Sequence, residues 1–370
     1  MKTYKIKATV VTPLSIGDGS QYSPYKDYFI ENGMVHYIDQ RKLGELLTKD
    51  DRLMDEYVEG VANMEGNRSR FDIKSFINDR LRCDVSSVVK SSIIYDGLHI
   101  ANKLPIHGIC KTPKGHPYLP GSSVKGALKT AALYNFLEKD VAGEELSKKI
   151  LEEPYKKEIT KELEDKLTQF EFSVSDSSLL NLSDMSCIHE ERIHIKKGTF
   201  IIPTHREVLN ENANATLTIQ FNKKNQLTWF NLVEYINKFA MSGLLTERGI
   251  LMDADNKSMK DKDYNALDDF YIRMNNVIEK AQQNVAYLRL GFGKGFYMNS
   301  IASSIFEKDE TEEKLNFKNY LKAKGYGKAY NPRIKKMQDY ELDPYVFPIT
   351  RNIKRRGVEP LGWVKLEKMD

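Results

Sequence analysis

Residues 4–12, YKIKATVVT, alternate apolar and polar side chains with the period of a half-buried strand, and Pro13 with Gly17-Asp18-Gly19 ends the run in a loop. Residues 28–38, YFIENGMVHYI, set Asn32-Gly33 between two apolar-aromatic runs; both residues tolerate positive φ, so the pattern predicts a hairpin. Asp39 can accept from the free amides that follow it, which predicts a helix running to residue 58. A further helical stretch is predicted over 72–81, and SSVVKSSIIYDGLHI (86–100) returns to strand-like alternation. A long loop rich in His, Pro and Gly then leads from Pro105 to YLPGSSVKGALKTAAL (118–133).

From Glu138 to Lys166 the chain becomes strongly charged, with Glu144/Lys148 and Glu145/Lys149 at i,i+4 spacing and Leu146 and Ile150 on the apolar side, the pattern of a solvated helix or an insertion. Four strand candidates follow at 170–180, 191–195, 199–203 and 215–221. Thr228 can cap a helix over 228–245, apolar at Phe230, Val233, Ile236, Phe239 and Ala240; a second helix over 264–284 feeds YLRLGFGKGF, and 361–367 reads as a closing strand. Strands and helices alternate in small groups in each half. This pattern predicts an α+β fold of two lobes with antiparallel sheets and helical insertions, in preference to a doubly wound parallel sheet.

Length and composition sharpen this picture in four ways. At 370 residues two domains are the default, and the expected division is an N-terminal lobe (1–137), a charged helical insertion (138–168) and a C-terminal lobe (169–370). The 56 Lys+Arg against 52 Asp+Glu leave a formal charge of +4, so a nucleic-acid partner would have to be met by a local basic face. Cys83, Cys110 and Cys187 are odd in number and far apart, which argues against a disulfide framework and for a reducing compartment. The opening MKTYKIKATVV has no apolar core of signal-peptide length, and no stretch approaches the roughly 18 apolar residues of a membrane span, so the expectation is a soluble cytoplasmic protein.

Three constellations carry candidate chemistry. Gly121-Ser122-Ser123-Val124-Lys125-Gly126 matches the glycine spacing of a phosphate-binding nucleotide loop, but Ala127 and Leu128 stand where its Lys and Ser/Thr belong, which rules out that reading. A Ser-capped helix start remains, its free amides and positive end suited to an anion, with Lys125 and Lys129 on one face and Val124, Leu128, Ala131 and Ala132 buried. The same features also suit a plain helix cap with solvated lysines. Leu288 to Phe296, LRLGFGKGF, has Phe296 where the dinucleotide fingerprint needs glycine; its alternate Gly291, Gly293 and Gly295 would let a polynucleotide backbone approach, with Arg289 and Lys294 placed to neutralise phosphates. A ligand-free mobile loop is the alternative. Residues 318–336 interleave Lys322, Lys324, Lys328, Arg333, Lys335 and Lys336 with Tyr320, Tyr326 and Tyr330, a mix that tracks a single strand by charge and stacking; Arg351, Lys354, Arg355 and Arg356 add a second basic run, and both also suit solvated loops.

Catalytic candidates are sparse. Cys187, His189 and His194 are the one close Cys/His group but lack a C-x-x-C pair or a fourth neighbour. His107 and His116 could act as acid or base. Asp27 and Asp176 have no carboxylate beside them, which gives no support to a two-metal nuclease.

TPLSIGDG (12–19), PGSSVKGALKTA (120–131) and GFGKGF (291–296), in this order and spacing, resemble the RAMP family, the repeat-associated RNA-binding proteins of CRISPR effector complexes. With PLGWVKLE (360–367), the pattern is most similar to the branch that supplies the fifth Csm-type subunit of type III-A complexes. The resemblance implies ferredoxin-like lobes, no cofactor, and binding of CRISPR RNA toward its 3′ end. It further implies a capping place on the backbone filament beside the backbone and small subunits, target RNA met through the complex, and a part in maturing the RNA 3′ end. Carried over by position, Gly121, Ser122, Ser123, Lys125, Lys129, Arg289, Gly291, Gly293, Lys294 and Gly295 are the expected RNA contacts. Related backbone subunits cut RNA with an aspartate after the first strand; Asp18 and Asp27 are the candidates here, but Asp27 runs straight into the Tyr28 strand, which favours a non-catalytic role. The rival expectation is a metal-independent endoribonuclease using His107 or His116.

Overall fold

The computed structural model describes residues 2–65, 71–97, 104–222, 227–254, 259–331 and 334–369. Lys2–Val10 is the predicted first strand, burying Ile6, Ala8 and Val10 and turning Lys5, Lys7 and Thr9 to the other face. It lies in the middle of a five-stranded antiparallel sheet ordered Val285–Arg289, Trp363–Lys368, Lys2–Val10, Asn214–Phe221, Phe172–Val174. Helix Gly121–Lys139 separates the first strand from Phe172–Val174, and helix Trp229–Asp253 follows Asn214–Phe221, the split β-α-β-β-α order of a ferredoxin-like lobe. A second helix, Asp261–Glu279, then reverses the chain once more before Val285–Arg289, and the closing strand Trp363–Lys368 fills the place between that strand and the first. The outer edge of Val285–Arg289 is covered by the Asn237 amide, which donates to Val285 O and accepts from Tyr287 N.

The larger sheet is ordered Gln21–Tyr22, Ile106–His107, Thr199–Leu209, Met185–His194, Val89–Asp96, Met34–Ile38, Tyr28–Glu31, with Thr350–Lys354 alongside the far end of Met185–His194. It is mixed, because Ile106–His107 and Val89–Asp96 pair in parallel with their long neighbours. The Asn32-Gly33 hairpin forms as predicted, with φ of 50° and 73°. Ile6 and Leu366 of the small sheet, Val124 and Leu128 of helix Gly121–Lys139, and Val35 and Ile93 of the large sheet share one apolar core. The α+β architecture of the sequence reading is therefore the observed one, although strands from both ends of the chain meet in each sheet. The helix from Asp39 stops at Leu47 and a new one begins at Asp51, while the charged stretch after 138 folds as Val141–Glu152 and Lys157–Gln169 with Leu146 and Ile150 buried. Among the described residues no helix is long and apolar enough to cross a membrane.

Candidate functional site

Helix Gly121–Lys139 begins where the sequence places it, but no serine caps it. The cap residue is Pro120, and the Gly121 amide donates to Asp176 Oδ1 at 2.7 Å, a carboxylate 55 residues away that also suits the positive helix end. Gly121 is required by packing: a Cβ there would lie 2.4 Å from Val174 O and 2.6 Å from Ser175 O. Gly126, five residues further along the same helix and exposed, has nothing within 4 Å of that point. We expect Gly121→Ala to cost about 1–3 kcal/mol through forced displacement, and Gly126→Ala to gain about 0.5–1 kcal/mol by helix propensity; urea unfolding midpoints check both, and equal effects would discard the packing account. Lys129 Nζ donates to Leu167 O at 2.7 Å in the last turn of Lys157–Gln169, and burial together with Lys125 holds its ammonium below the usual lysine range. Lys125 is half-buried, and Ser122 is exposed.

The glycine loop is a built structure. Gly291, Gly293 and Gly295 have φ of 67°, 82° and 75°, values that an L side chain rarely adopts, while the residues between them stay at negative φ. Gly291 packs on the first loop, where a Cβ would be 2.1 Å from Ser15 O, and Phe292 N donates to that same carbonyl at 2.7 Å. Gly295 faces Glu247, with 2.7 Å between a Cβ and Oε1. Leu290 N donates to Gly362 O and Gly362 N to Pro13 O, so three sequence motifs far apart along the chain meet here.

Arg289, expected to meet phosphate, is only 3% exposed and is occupied inside the protein. Its Nε donates to Leu361 O at 3.0 Å, Nη2 to Gly293 O at 2.6 Å, and Nη1 approaches Glu247 Oε2 at 3.2 Å. The guanidinium thus ties the loop to the closing segment and to helix Trp229–Asp253. Lys294 is different: it is half-buried, has no hydrogen bond or ion pair among the described residues, and burial followed by the Arg289 charge pushes its ammonium below the usual range. The amides of Gly293 and Gly295 have no acceptor among the described residues. A partly desolvated cation flanked in sequence by two amides without acceptors, on a backbone of alternating φ sign, has the donors an anionic oxygen needs.

The other candidates are placed elsewhere or are already satisfied. Cys187 is buried in the core with its thiol pushed up by burial, and no group of three or more His, Cys, Asp or Glu side chains suited to a metal occurs among the described residues. His107 pairs with Gln21 Nε2 at 3.3 Å, and burial, then Arg206, lower its basicity; His116 sits in the Lys111–Pro117 turn. His205, which sequence reading did not single out, bonds Tyr95 Oη at 2.9 Å and is driven down to about 4 by burial and His189. Asp18 accepts from Ser20, and Asp27 from Ser23 N. In the segment 318–336, Tyr320 is buried against Phe317, and Tyr326 packs on Phe296 and Phe347; Lys328–Asn331 and Lys336–Asp339 form a hairpin, while Arg333 and the Tyr330 side chain lie outside the described residues. The second basic run is engaged within the protein: Lys354 and Arg356 share Asp96, Arg355 pairs with Glu191, and buried Arg351 donates to Pro348 O. Sequence reading missed Glu247 and Glu207, and weighed Asp176 only as a metal ligand, because each acts on a partner tens of residues away and leaves no local signal.

Comparison with known proteins adds three findings. The sequence matches the model of the RAMP superfamily over residues 7–330. It is 25% identical to the CRISPR system protein Csm5 of Methanocaldococcus jannaschii across 98% of this chain and 88% of that one, and 26% identical to Csm5 of Streptococcus thermophilus across 35% of this chain and 37% of that one. The fold resembles a chain of a Csm–crRNA–target RNA ternary complex from a type III-A CRISPR–Cas system, solved by cryo-EM (TM-score 0.68, 18% identity, 99% of this chain and 100% of that one). It also resembles crystalline Csm5 of T. onnurineus (TM-score 0.58, 18% identity, 97% and 99%).

Proposed function

This chain belongs to the RAMP superfamily, and from that premise we propose that it is an RNA-binding subunit of a type III-A CRISPR effector complex. In this reading it sits at the 3′ region of the CRISPR RNA, caps the backbone filament, contacts the backbone and small subunits, meets target RNA through the complex, and contributes to maturing the RNA end without cutting it. The Csm5 relatives and the ternary-complex neighbour support the assembly. The observation that carries RNA binding is Lys294: a half-buried, unpaired ammonium next to the free Gly293 and Gly295 amides, on a loop held rigid by Arg289 and Glu247. Ser122 and Lys125 provide a second contact at the helix start, while Gly121, Arg289 and Lys129 hold the framework in position.

A salt titration of labelled single-stranded CRISPR RNA against wild-type protein and Lys294→Glu, in isolation and in the assembled complex, tests this. We expect affinity to fall about tenfold and the log–log salt slope to shrink by about one. Unchanged affinity in both settings would remove the assignment. The same samples run on a denaturing gel in chelator give the second readout: RNA cut by wild type and spared by His107→Ala or His116→Ala would make the protein an endoribonuclease instead.

A further inference from the structure

A cleft of about 710 Å³ opens between the larger sheet, the 111–115 turn and the first loop, and none of the chemistry above uses it. This volume falls in the range of sites that enclose a single small-molecule unit. Tyr22, Ile93, Leu182 and Met185 form its apolar lining, of which Leu182, 36% exposed, is the accessible aliphatic part while Ile93 and Met185 are buried. Tyr22 is held at a fixed tilt against Tyr37, with ring centroids 4.9 Å apart, and its hydroxyl accepts from Lys111 Nζ at 3.2 Å.

The charges of the cleft are sorted by depth. Glu207 is fully buried and bound by Lys111 at 2.7 Å, and Asp39 is committed to the amides of Arg41 and Lys42 at the start of helix Gln40–Leu47. At the mouth, Lys90 and Lys114 are exposed and have no ion pair or hydrogen bond among the described residues. Asp18 accepts both Ser20 bonds on Oδ1, leaving Oδ2 without a protein donor among the described residues. Two further charges of the lining are paired within the protein: Arg41 with Glu45, while Asp27 accepts from Ser23 N and Gln40 Nε2. Beside these paired groups the cleft offers an aromatic and aliphatic wall to a base, two unpaired cations to phosphate and the unpartnered Asp18 oxygen to a hydroxyl donor. DNA lacks that hydroxyl, and RNA has it.

Position links the cleft to the glycine loop. Ser15 O receives Phe292 N on one side of the first loop, and three residues later Asp18 lines the cleft on the other. We propose that the cleft holds one ribonucleotide of the same RNA strand that meets Lys294, with its base along Tyr22 and Leu182, its phosphates at Lys90 and Lys114, and its 2′-hydroxyl donating to Asp18. This inference rests on the RNA-binding reading above.

The test compares labelled single-stranded RNA and DNA of one sequence on the full-length protein and its assembled complex, using wild type, Lys90→Glu/Lys114→Glu, Asp18→Asn and Lys294→Glu. All the cleft substitutions are at exposed positions, and circular dichroism confirms folding. The expected result is a roughly tenfold weaker RNA affinity and a salt slope smaller by nearly two for the double lysine variant, with Asp18→Asn reducing the preference for RNA over DNA. Photo-crosslinking of 4-thiouridine RNA should mark peptides carrying Tyr22 or Leu182. Weakened binding by Lys294→Glu with an unchanged double lysine variant and no cleft crosslink overturns the cleft inference while the RNA reading stands. Absence of salt-sensitive RNA binding by wild type in either setting overturns both.

Discussion

Glu247→Gln will cost about 3–5 kcal/mol of folding stability, the range for breaking a buried ion pair from one side. Glu247 and Arg289 are 1% and 3% exposed and lie 3.2 Å apart at their nearest charged atoms. Arg351 is buried as well, and against the lowering effect of burial Tyr271 and then Glu247 raise its guanidinium above the usual range. Removing the acid leaves the buried Arg289 guanidinium without its ion-pair partner and takes away a negative charge that also favours Arg351. Arg289→Met should cost less, near the lower end of that range, because the Arg351 charge still acts on Glu247. Urea unfolding gives the order, and hydrogen exchange at Gly293 to Phe296 should quicken in both variants as the loop loses its anchor. A loss under about 1 kcal/mol for Glu247→Gln would show that water reaches the cluster and that the loop is held by its backbone contacts alone.

Lys111→Met will cost about 3 kcal/mol, somewhat less, because the lysine side chain keeps 16% exposure while Glu207 keeps 1%. Glu207 accepts from Lys111 Nζ at 2.7 Å through both oxygens and from Ile109 N at 3.1 Å, so the truncated partner strands a buried carboxylate on a single amide. The double variant Lys111→Met/Glu207→Met should regain much of the loss, since an apolar pair of similar volume suits the neighbouring Tyr22 and Tyr37 rings. Strict additivity of the two single effects in a denaturation cycle would mean the pair is not coupled, contrary to its geometry.

Much of the fold was legible because local chemistry and tertiary structure agree. Asn32-Gly33 needs positive φ and has it; Thr228 starts Trp229–Asp253 with its own capping box; the alternation of 4–12 matches the buried Ile6, Ala8 and Val10. The site was legible in its glycines and only partly in its cations. Gly291, Gly293 and Gly295 stand out by composition, and the structure gives them left-handed backbone and close neighbours. Arg289 and Lys294 look equivalent in the string LRLGFGKGF, yet one is enclosed by Leu361 O, Gly293 O and Glu247 and the other is unpaired. The basic run 351–356 likewise reads as a free positive patch until Asp96 and Glu191 are brought beside it.

The sequence by itself determined the first strand, the Asn32-Gly33 hairpin, the Thr228-capped helix and where glycine alone would serve, because φ preference, capping and side-chain period act within a few residues. Only the tertiary structure decided which charges are available. A carboxylate neutralises whatever guanidinium or amide lies within a few ångströms, and Glu247, Asp176 and Asp96 reach Arg289, Gly121 and Arg356 across 42, 55 and 260 residues of chain. It also decided that the loop after the first strand, the glycine loop and the closing strand form one surface, since that meeting depends on sheet order: the last strand of the chain lies beside the first.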